Sequence, residues 1–206
     1  MAEQRYLLLL RHGQTAWNLE RRIQGQLDSG LDETGHAQSR AAAKEIARHH
    51  PVLLWSSDLT RGRDTAAYVA EACGLEVVTD ARLREYHLGS LQSRTYADIA
   101  ETMPEVFASF RRGDFEAPDG ESTVEVGARM AAALRELLEA TPAGRLSVAV
   151  SHGAAIRVGL AELMGWGAPL GLTLGALGNC SWAVLTELEP DGQLRLTSYN
   201  REAVER

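Results

Sequence analysis

LLLLRHGQTAWN, residues 7–18, is a short apolar run that stops abruptly at an arginine, a histidine and a glycine. Four consecutive leucines are too few to cross a membrane and too unbroken for a half-exposed strand. They predict a strand covered on both faces, as in a parallel sheet. Ligands bind at the carboxyl ends of strands in such sheets, which is where Arg11 and His12 lie. Gly13 allows a tight turn and a close approach of the backbone to a ligand.

Downstream of this loop, apolar strand patterns alternate with helix patterns, which is typical of an α/β fold with a mostly parallel central sheet. Thr34 is a suitable cap for the first long helix. An insertion at about residues 86–122 carries two short helices, which predicts a small helical cap. A turn at residues 190–192 predicts a terminal hairpin. The predicted helices span residues 34–49, 59–73, 95–103, 104–112, 123–140 and 153–164, and the later strands span residues 52–55, 75–79, 146–150, 181–187 and 193–199.

Length and composition predict a single globular domain, residues 1–206, with a core large enough to fold without disulfides or metals. The formal net charge of −7 and the pI near 5.4 oppose binding to nucleic acid or to an acidic membrane surface. Glycines, a proline and a glutamate interrupt the one weakly charged segment that approaches the length of a membrane helix. An anion site in this chain must therefore be a local cluster of arginines.

The cysteines Cys73 and Cys180 lie far apart in sequence and match no metal-binding spacing. This pattern predicts reduced, buried thiols rather than a disulfide framework or a zinc site. The first residues lead straight into the leucine strand and lack the charged and apolar segments of a signal peptide. We therefore expect a cytoplasmic protein, and we predict no cofactor from these features.

A second histidine-glycine turn occurs at residues 151–153, again directly after an apolar strand. Right-handed crossovers in one parallel sheet place the carboxyl ends of its strands on the same edge, so His12 and His152 are expected to face one pocket. Arg11 belongs to the first turn, and Arg61 lies near the start of a helix, where the dipole also favours an anion. The planar donors of arginine suit phosphate oxygens. Two arginines and two histidines thus predict a cradle for a phosphoryl group.

Four short motifs, well separated along the chain, together resemble the histidine phosphatase superfamily, the phosphoglycerate-mutase-like group. They are RHG at residues 11–13, SDLTR at 57–61, RLRE at 82–85 and SHG at 151–153. The resemblance runs in the right order from Leu7 to Trp182, so it is far more specific than a single RHG tripeptide. It implies a three-layer α/β/α sandwich.

The resemblance also implies a role for each motif residue. His12 is phosphorylated, and Glu85 transfers protons. The phosphoryl group is bound by Arg11, Arg61 and His152. A phosphohistidine divides one difficult displacement into two easier steps, and no metal takes part in that scheme. Nearby arginines lower the pKa of a histidine and so keep the nucleophile neutral.

Further residues are expected around this cradle. Additional phosphate donors are predicted at Asn18, Gln24, Gly25 and Gly153. Arg84 fits either an outer anionic group of the substrate or a solvated surface, and the surface is favoured. His87 follows Glu85 by two residues and fits either the pocket rim or the surface.

The preferred function is that of a metal-independent phosphomonoester phosphatase, acting through phospho-His12 on a small phosphorylated metabolite. A phosphoglycerate mutase is the first alternative, but the mutases that this chain resembles carry longer insertions after the glutamate than residues 86–122. A non-catalytic phospholigand-binding protein is the second alternative, and the fully occupied catalytic positions argue against it. The sequence therefore favours hydrolysis.

Within the superfamily, several segments look similar to actinobacterial glucosyl-3-phosphoglycerate phosphatases. These segments are residues 24–28, 56–59, 82–85, 87–89 and 178–182. The chain departs from that group at residues 91–93, at Gly62 and at Asp119. The substrate therefore stays open between a sugar phosphate and glucosyl-3-phosphoglycerate.

A homodimer is one alternative for the assembly. The glycine-rich, weakly charged residues 165–178 and the edge of the terminal hairpin could form a contact between two copies. Packing within the core explains the same pattern equally well, so the sequence leaves the oligomeric state open.

Overall fold

A computed structural model describes residues 4–112, 115–166, 173–188 and 192–203. Within these ranges the chain forms six strands and seven α-helices. The strands are β1 (Tyr6–Arg11), β2 (Leu53–Ser56), β3 (Val77–Thr79), β4 (Leu146–Ser151), β5 (Trp182–Leu188) and β6 (Gln193–Arg201). The helices are α1 (Ala16–Leu19), α2 (Glu33–Ala47), α3 (Thr60–Cys73), α4 (Tyr96–Thr102), α5 (Pro104–Arg112), α6 (Thr123–Ala140) and α7 (Gly153–Leu163).

All six strands belong to one sheet, in the order β3-β2-β4-β1-β5-β6. Strands β1 to β4 run parallel to one another, whereas β5 pairs antiparallel with both β1 and β6. Arg11 at the end of β1 pairs in register with Ser151 at the end of β4. This register places His12 and His152 side by side, one residue beyond two adjacent central strands. The predicted α/β class with a mostly parallel sheet is confirmed.

The leucine run of β1 is buried on both faces of the sheet. Leu8 and Leu10 pack with residues of α2 and α3 on one face, whereas Leu7 and Leu9 pack with residues of α6 and α7 on the other. None of the four side chains is more than 1% exposed. Burying a leucine contributes roughly 1.5–3 kcal/mol relative to leaving it exposed. Because side chains alternate along β1, this strand contacts the helices on both faces of the sheet. The result is the expected three-layer sandwich.

The cap expected for α2 is wrong by two residues. Asp32, and not Thr34, is the capping residue, and its carboxylate accepts a hydrogen bond of 2.8 Å from the backbone N–H of Gly35. Aspartate is at least as good a cap as threonine, and its charge also complements the positive end of the helix dipole. Thr34 therefore lies inside the first turn.

The insertion at residues 86–122 contains α4, α5 and a short 3₁₀ turn. Leu91, Ile99 and Phe115 pack into the same hydrophobic cluster as α6 and α7. Tyr96 from α4 and Phe110 from α5 line a cavity at the carboxyl edge of the parallel strands. The predicted helical cap is therefore present, and it forms one wall of that cavity.

No helix among the described residues is both long enough and apolar enough to span a bilayer. Strands β5 and β6 pair as the predicted hairpin. Residues 190 and 191 of its predicted turn lie outside the described ranges. The same holds for residues 167–172 of the segment considered for a dimer contact.

Candidate active site

A cavity of about 540 Å³ opens where β1 and β4 end. His12 lines this cavity, and the fully buried His152 lies directly behind it, with 5.1 Å between the two ring centroids. Arg11, Arg61 and Glu85 line the cavity around His12. The predicted convergence of the two histidine-glycine turns is therefore confirmed.

The hydrogen bond of His12 determines which ring nitrogen is available for chemistry. Nδ1 of His12 lies 2.7 Å from the carbonyl oxygen of Gly13. Because a carbonyl oxygen can only accept a hydrogen bond, Nδ1 carries the ring hydrogen and donates it. Nε2 therefore carries the lone pair, and no described residue is bonded to it.

The surroundings of His12 favour the neutral ring. Its pKa is held well below the ordinary value of 6.5, first by burial and then by the positive charges of Arg61 and Arg11. Burial penalises the charged imidazolium, and neighbouring cations add to that penalty. His12 is consequently neutral at physiological pH.

Arg61 is a buried cation held by backbone oxygens. It is 1% exposed, and its guanidinium donates to the carbonyls of Leu27 at 2.9 Å and Gly25 at 2.7 Å. Burial lowers its pKa to about 10, so it keeps its charge at neutral pH. The loop before α2 and the first turn of α3 therefore fix one positive fork beside His12.

Both ring nitrogens of His152 are engaged. Arg61 Nε donates to Nδ1 of His152 at 3.2 Å. Nδ1 is thus an acceptor, and the hydrogen on Nε2 is donated to the Ser57 hydroxyl, 2.8 Å away. Burial, followed by the charge of Arg61, keeps the pKa of His152 well below its usual range. His152 therefore links Arg61 to Ser57, a residue that sequence reasoning placed only within a motif.

Arg11 has a donor that no described residue uses. One of its terminal nitrogens donates to the carbonyl of Leu177, whereas its Nε is buried without a hydrogen-bond partner. The guanidinium lies against Gly153, where a Cβ atom would come within 3.2 Å of Nε. The glycine therefore leaves room for the arginine at the floor of the cavity.

Glu85 is held at the start of α7. Its carboxylate accepts hydrogen bonds from the backbone N–H groups of Tyr86 at 3.0 Å, Ala154 at 3.1 Å and Ala155 at 2.9 Å. The first N–H groups of a helix have no partner inside the helix, and the positive end of the helix dipole favours an anion. The carboxylate is thus fixed at the wall of the cavity, close to His12.

A side chain of α6 also holds the loop that carries Glu85, residues 82–85, and sequence reasoning missed this contact. Arg129 donates to the carbonyls of Arg82, Arg84 and Glu85 at 2.7–3.0 Å. Arg129 also forms a two-point ion pair with Glu121, at 2.6 and 2.8 Å. The RLRE motif does not indicate Arg129 as its partner, because Arg129 lies about 45 residues later, on another helix.

The predicted additional phosphate donors lie in or beside the cavity. Asn18 uses its side-chain oxygen to accept from Thr15, which leaves the amide NH₂ for a ligand. Asn179 also donates to this oxygen at 3.3 Å and to the carbonyl of His12 at 3.1 Å, a role that was not predicted. Gln24 and Gly25 line the cavity as well, and Gly25 has a positive φ of +54°.

One of the expectations around the cradle is wrong, and two open alternatives are decided in favour of the surface. A Cβ atom at Gly13 would lie 2.5 Å from the carbonyl oxygen of Gly35, so this glycine permits close packing of α2 rather than approach to a ligand. His87 is exposed and does not line the cavity. Arg84 forms a two-point ion pair with Asp58, at 2.7 and 2.6 Å, instead of facing the cavity.

In the described part of the chain, no three His, Cys, Asp or Glu side chains are grouped so that they could hold a metal ion. The groups gathered around the cavity are a neutral imidazole, two arginines and a carboxylate. An arrangement of this kind can bind a phosphoryl group, attack it and move a proton.

Comparison with known proteins identifies the family that the sequence motifs resemble. A family model described as the histidine phosphatase superfamily, branch 1, matches residues 7–201. A Mycobacterium tuberculosis protein named glucosyl-3-phosphoglycerate phosphatase is 40% identical over 190 residues, which are 88% of this chain and 85% of that protein. A Yersinia pestis protein named probable phosphoglycerate mutase GpmB is 42% identical over 175 residues, which are 84% of this chain and 80% of that protein.

A solved structure gives a similar match in three dimensions. It is that of a mycobacterial glucosyl-3-phosphoglycerate phosphatase in complex with VO3, with a TM-score of 0.88 and 40% sequence identity. The match covers 95% of this chain and 98% of that one. Fold and sequence therefore agree over almost the whole length of both proteins.

Proposed function

Because this chain belongs to branch 1 of the histidine phosphatase superfamily, we propose that it hydrolyses phosphoric monoesters through a covalent phosphohistidine at His12. The observation that carries this proposal is the hydrogen bond from His12 Nδ1 to Gly13, which leaves the Nε2 lone pair free. The low pKa of His12 keeps that lone pair unprotonated. The named phosphatases among its relatives support the same reaction class.

The first step forms the phosphohistidine. Nε2 of His12 attacks phosphorus in line with the ester oxygen, so the N–P bond forms as the P–O bond breaks. Arg11 and Arg61 stabilise the charge on the three equatorial oxygens. Glu85 enters this step in its protonated form and gives that proton to the departing alkoxide, which leaves as a neutral alcohol, and the second step returns a proton to Glu85.

The second step regenerates the enzyme. Water attacks the phosphorus of phospho-His12 while the carboxylate of Glu85 accepts a proton from it. The N–P bond breaks, its electron pair returns to Nε2, and inorganic phosphate is released. Neither step of this scheme uses a metal ion.

We propose that the substrate is a small phosphorylated metabolite, either a sugar phosphate or glucosyl-3-phosphoglycerate. Relatives named for the second compound share about 40% of their residues with this chain, over most of both proteins. A cavity of about 540 Å³ is large enough for a substrate of this size.

A phosphoglycerate mutase is the second candidate, because one relative at 42% identity is named a probable mutase. A mutase returns the phosphoryl group to the substrate and must keep water away from phospho-His12. With 3-phosphoglycerate as substrate, release of inorganic phosphate without formation of 2-phosphoglycerate identifies the phosphatase.

The basic experiment measures phosphate release from p-nitrophenyl phosphate in the presence of a chelator. We expect the wild-type protein to remain active and His12→Ala to be inactive, whereas His49→Ala, at an exposed position, keeps full activity. Inactivity of the wild-type protein would favour a non-catalytic phospholigand-binding protein. Full activity of His12→Ala would contradict the proposed nucleophile.

We further propose that the protein acts in the cytoplasm, in keeping with two free cysteines among the described residues. A homodimer through the exposed edge of β6 is an alternative to a monomer. Sedimentation velocity at several protein concentrations distinguishes the two, since only the dimer dissociates on dilution.

A further inference from the structure

The cavity continues outward from His12 into a region with its own charge and shape. We call this region the outer pocket, and it is lined by Trp17, Arg21, Tyr96, Phe110 and Arg157. Its three aromatic side chains come from α1 and from the two cap helices. None of these five residues belongs to the reaction scheme above.

Arg157 brings a donor without a partner to the outer pocket. Its Nε is buried and has no hydrogen-bond partner, and no ion pair involves its side chain within the described ranges. Buried charged donors are normally paired, because an unpaired one is destabilising. A ligand that enters the cavity is the natural source of the missing acceptor.

The position of Arg157 on α7 relates it to the phosphoryl cradle. It lies four residues after Gly153, which is one helical turn on the same face of the helix. Gly153 contacts the guanidinium of Arg11. The backbone of Arg157 therefore lies about 6 Å along the helix axis from that of Gly153, which is the rise of four helical residues.

The other charges of the cavity do not neutralise Arg157. Glu85 is the only carboxylate among the described lining residues, and three backbone N–H groups already bind it. Arg22 has its own partners in Glu20 and the carbonyl of Ser93. Arg21, at the exposed mouth, adds a further positive charge. The outer pocket is thus cationic in a chain whose net charge is −7.

We propose that Arg157 binds a carboxylate on the carbon skeleton of the substrate while the phosphoryl group lies against His12. The enzyme then selects phosphorylated carboxylic acids over uncharged phosphate esters of the same size. The guanidinium of arginine matches a carboxylate through two parallel hydrogen bonds. Arg21 at the mouth attracts substrates that carry these two anionic groups, and the three aromatic rings cover the remaining skeleton.

This inference rests on the proposed phosphatase activity, and two matched substrates test it. 3-Phosphoglycerate and glycerol 3-phosphate share a three-carbon skeleton, and a carboxylate in the first replaces a hydroxymethyl group in the second. We expect Arg157→Met to lower kcat/KM for 3-phosphoglycerate by about 10- to 100-fold, mainly through KM. The loss for glycerol 3-phosphate should stay below about threefold, since that substrate offers no second anion.

Two further variants control this experiment. Arg157→Lys keeps the positive charge and should recover part of the loss on 3-phosphoglycerate, which a purely structural role would not predict. Arg63→Met removes an exposed arginine of α3 outside the cavity and should change neither substrate. Equal losses of Arg157→Met on both substrates, or no loss on either, would overturn the assignment.

Binding separates failure of this inference from failure of the proposed function. If wild-type protein releases phosphate neither from these two esters nor from p-nitrophenyl phosphate, the phosphatase proposal is wrong. Calorimetry on the His12→Ala protein then still compares binding of the two esters, with and without Arg157→Met. A preference for 3-phosphoglycerate that disappears with Arg157 supports the carboxylate site, and equal affinities refute it.

Discussion

At the scale of single residues, Arg61 is the cation most tightly built into the site. Its guanidinium joins two backbone carbonyls and the ring of His152, and it is almost fully buried. We expect Arg61→Lys to lower kcat on p-nitrophenyl phosphate by about 100-fold or more, because one ammonium cannot reach these partners and a phosphoryl oxygen together. Arg63→Lys, two residues along α3, is the matched control, and a loss below about threefold at Arg61 would contradict this role.

Ser57 is expected to matter for stability through His152. In Ser57→Ala the hydrogen on Nε2 of His152 loses its acceptor in a fully buried position. We expect the free energy of unfolding in urea to fall by about 1–3 kcal/mol, the cost of an unsatisfied buried donor. Ser109→Ala removes only a local bond to the carbonyl of Val106 and should have a smaller effect. Equal effects of the two variants would show that the His152 contact contributes nothing special.

The sequence predicted the residues that carry the proposed chemistry better than those that position them. His12, Glu85 and His152 are recognisable because each belongs to a motif with a characteristic spacing. Arg129 and Asn179 act through side-chain contacts to backbone carbonyls, and such contacts leave no periodic or local pattern. Gly13 was expected to let the backbone approach a ligand, but its packing partner on α2 was not predicted, because that contact depends on the three-dimensional approach of two backbones.

At the scale of secondary-structure elements, α6 controls the position of the Glu85 loop. Arg129→Met would remove three hydrogen bonds to loop carbonyls and the ion pair with Glu121. The side chains of Arg129 and Glu121 are only 18% and 23% exposed. We expect kcat to fall by about tenfold or more through misplacement of Glu85, and the free energy of unfolding to fall by about 2–3 kcal/mol.

Arg135→Met, on an exposed position of the same helix, is the control for this prediction. Both quantities should stay near their wild-type values in that variant. Retention of full kcat in Arg129→Met would mean that the three hydrogen bonds from the backbone N–H groups of Tyr86 and α7 suffice to hold the Glu85 carboxylate.

Element boundaries followed from sequence where local chemistry decides them. Gly74 ends α3 with a left-handed φ of +67°, and Ser122 begins α6 with a capping box to Glu125. The start of α2 was missed because Asp32 and Thr34 are both acceptable caps in sequence. Only the three-dimensional path of the loop decides between them.

At the scale of the whole molecule, two buried histidines couple stability to pH. His12 and His152 are at most 3% exposed, and burial holds the pKa of each well below 6.5. Below pH 6.5 the unfolded chain therefore binds protons that the folded protein does not, so stability decreases as the pH falls from 6.5 towards 5. Each histidine can contribute a slope of up to about 1.4 kcal/mol per pH unit.

Urea unfolding between pH 5 and 7 measures this effect. His12→Asn removes one of the two buried titrations and should reduce the slope by about half, whereas His49→Asn at an exposed position should leave it unchanged. A wild-type stability that does not depend on pH in this interval would contradict the neutral, buried state of both rings.

The architecture as a whole was largely predictable because an unbroken apolar strand followed by a histidine-glycine turn occurs twice. Parallel strands with right-handed crossovers place both turns on one edge, and the register of Arg11 with Ser151 satisfies that expectation. The sequence did not predict that β5 pairs with β1. That pairing depends on which later strand reaches the free edge of β1 in the folded protein. The charge of the outer pocket was also missed, because Arg21 and Arg157 lie about 136 residues apart in sequence and are joined only by folding.

The central claim is that His12 carries the phosphoryl group, and trapping that intermediate tests it most directly. Wild-type protein and Glu85→Gln are mixed with p-nitrophenyl phosphate, quenched in alkali, where phosphohistidine survives, and digested for mass spectrometry. The account predicts one phosphoryl group on the peptide that contains His12, more of it in Glu85→Gln because hydrolysis is slowed, and none in His12→Ala. Active wild-type protein with no phosphoryl group on this peptide in either protein, or with the group on another residue, would contradict the account.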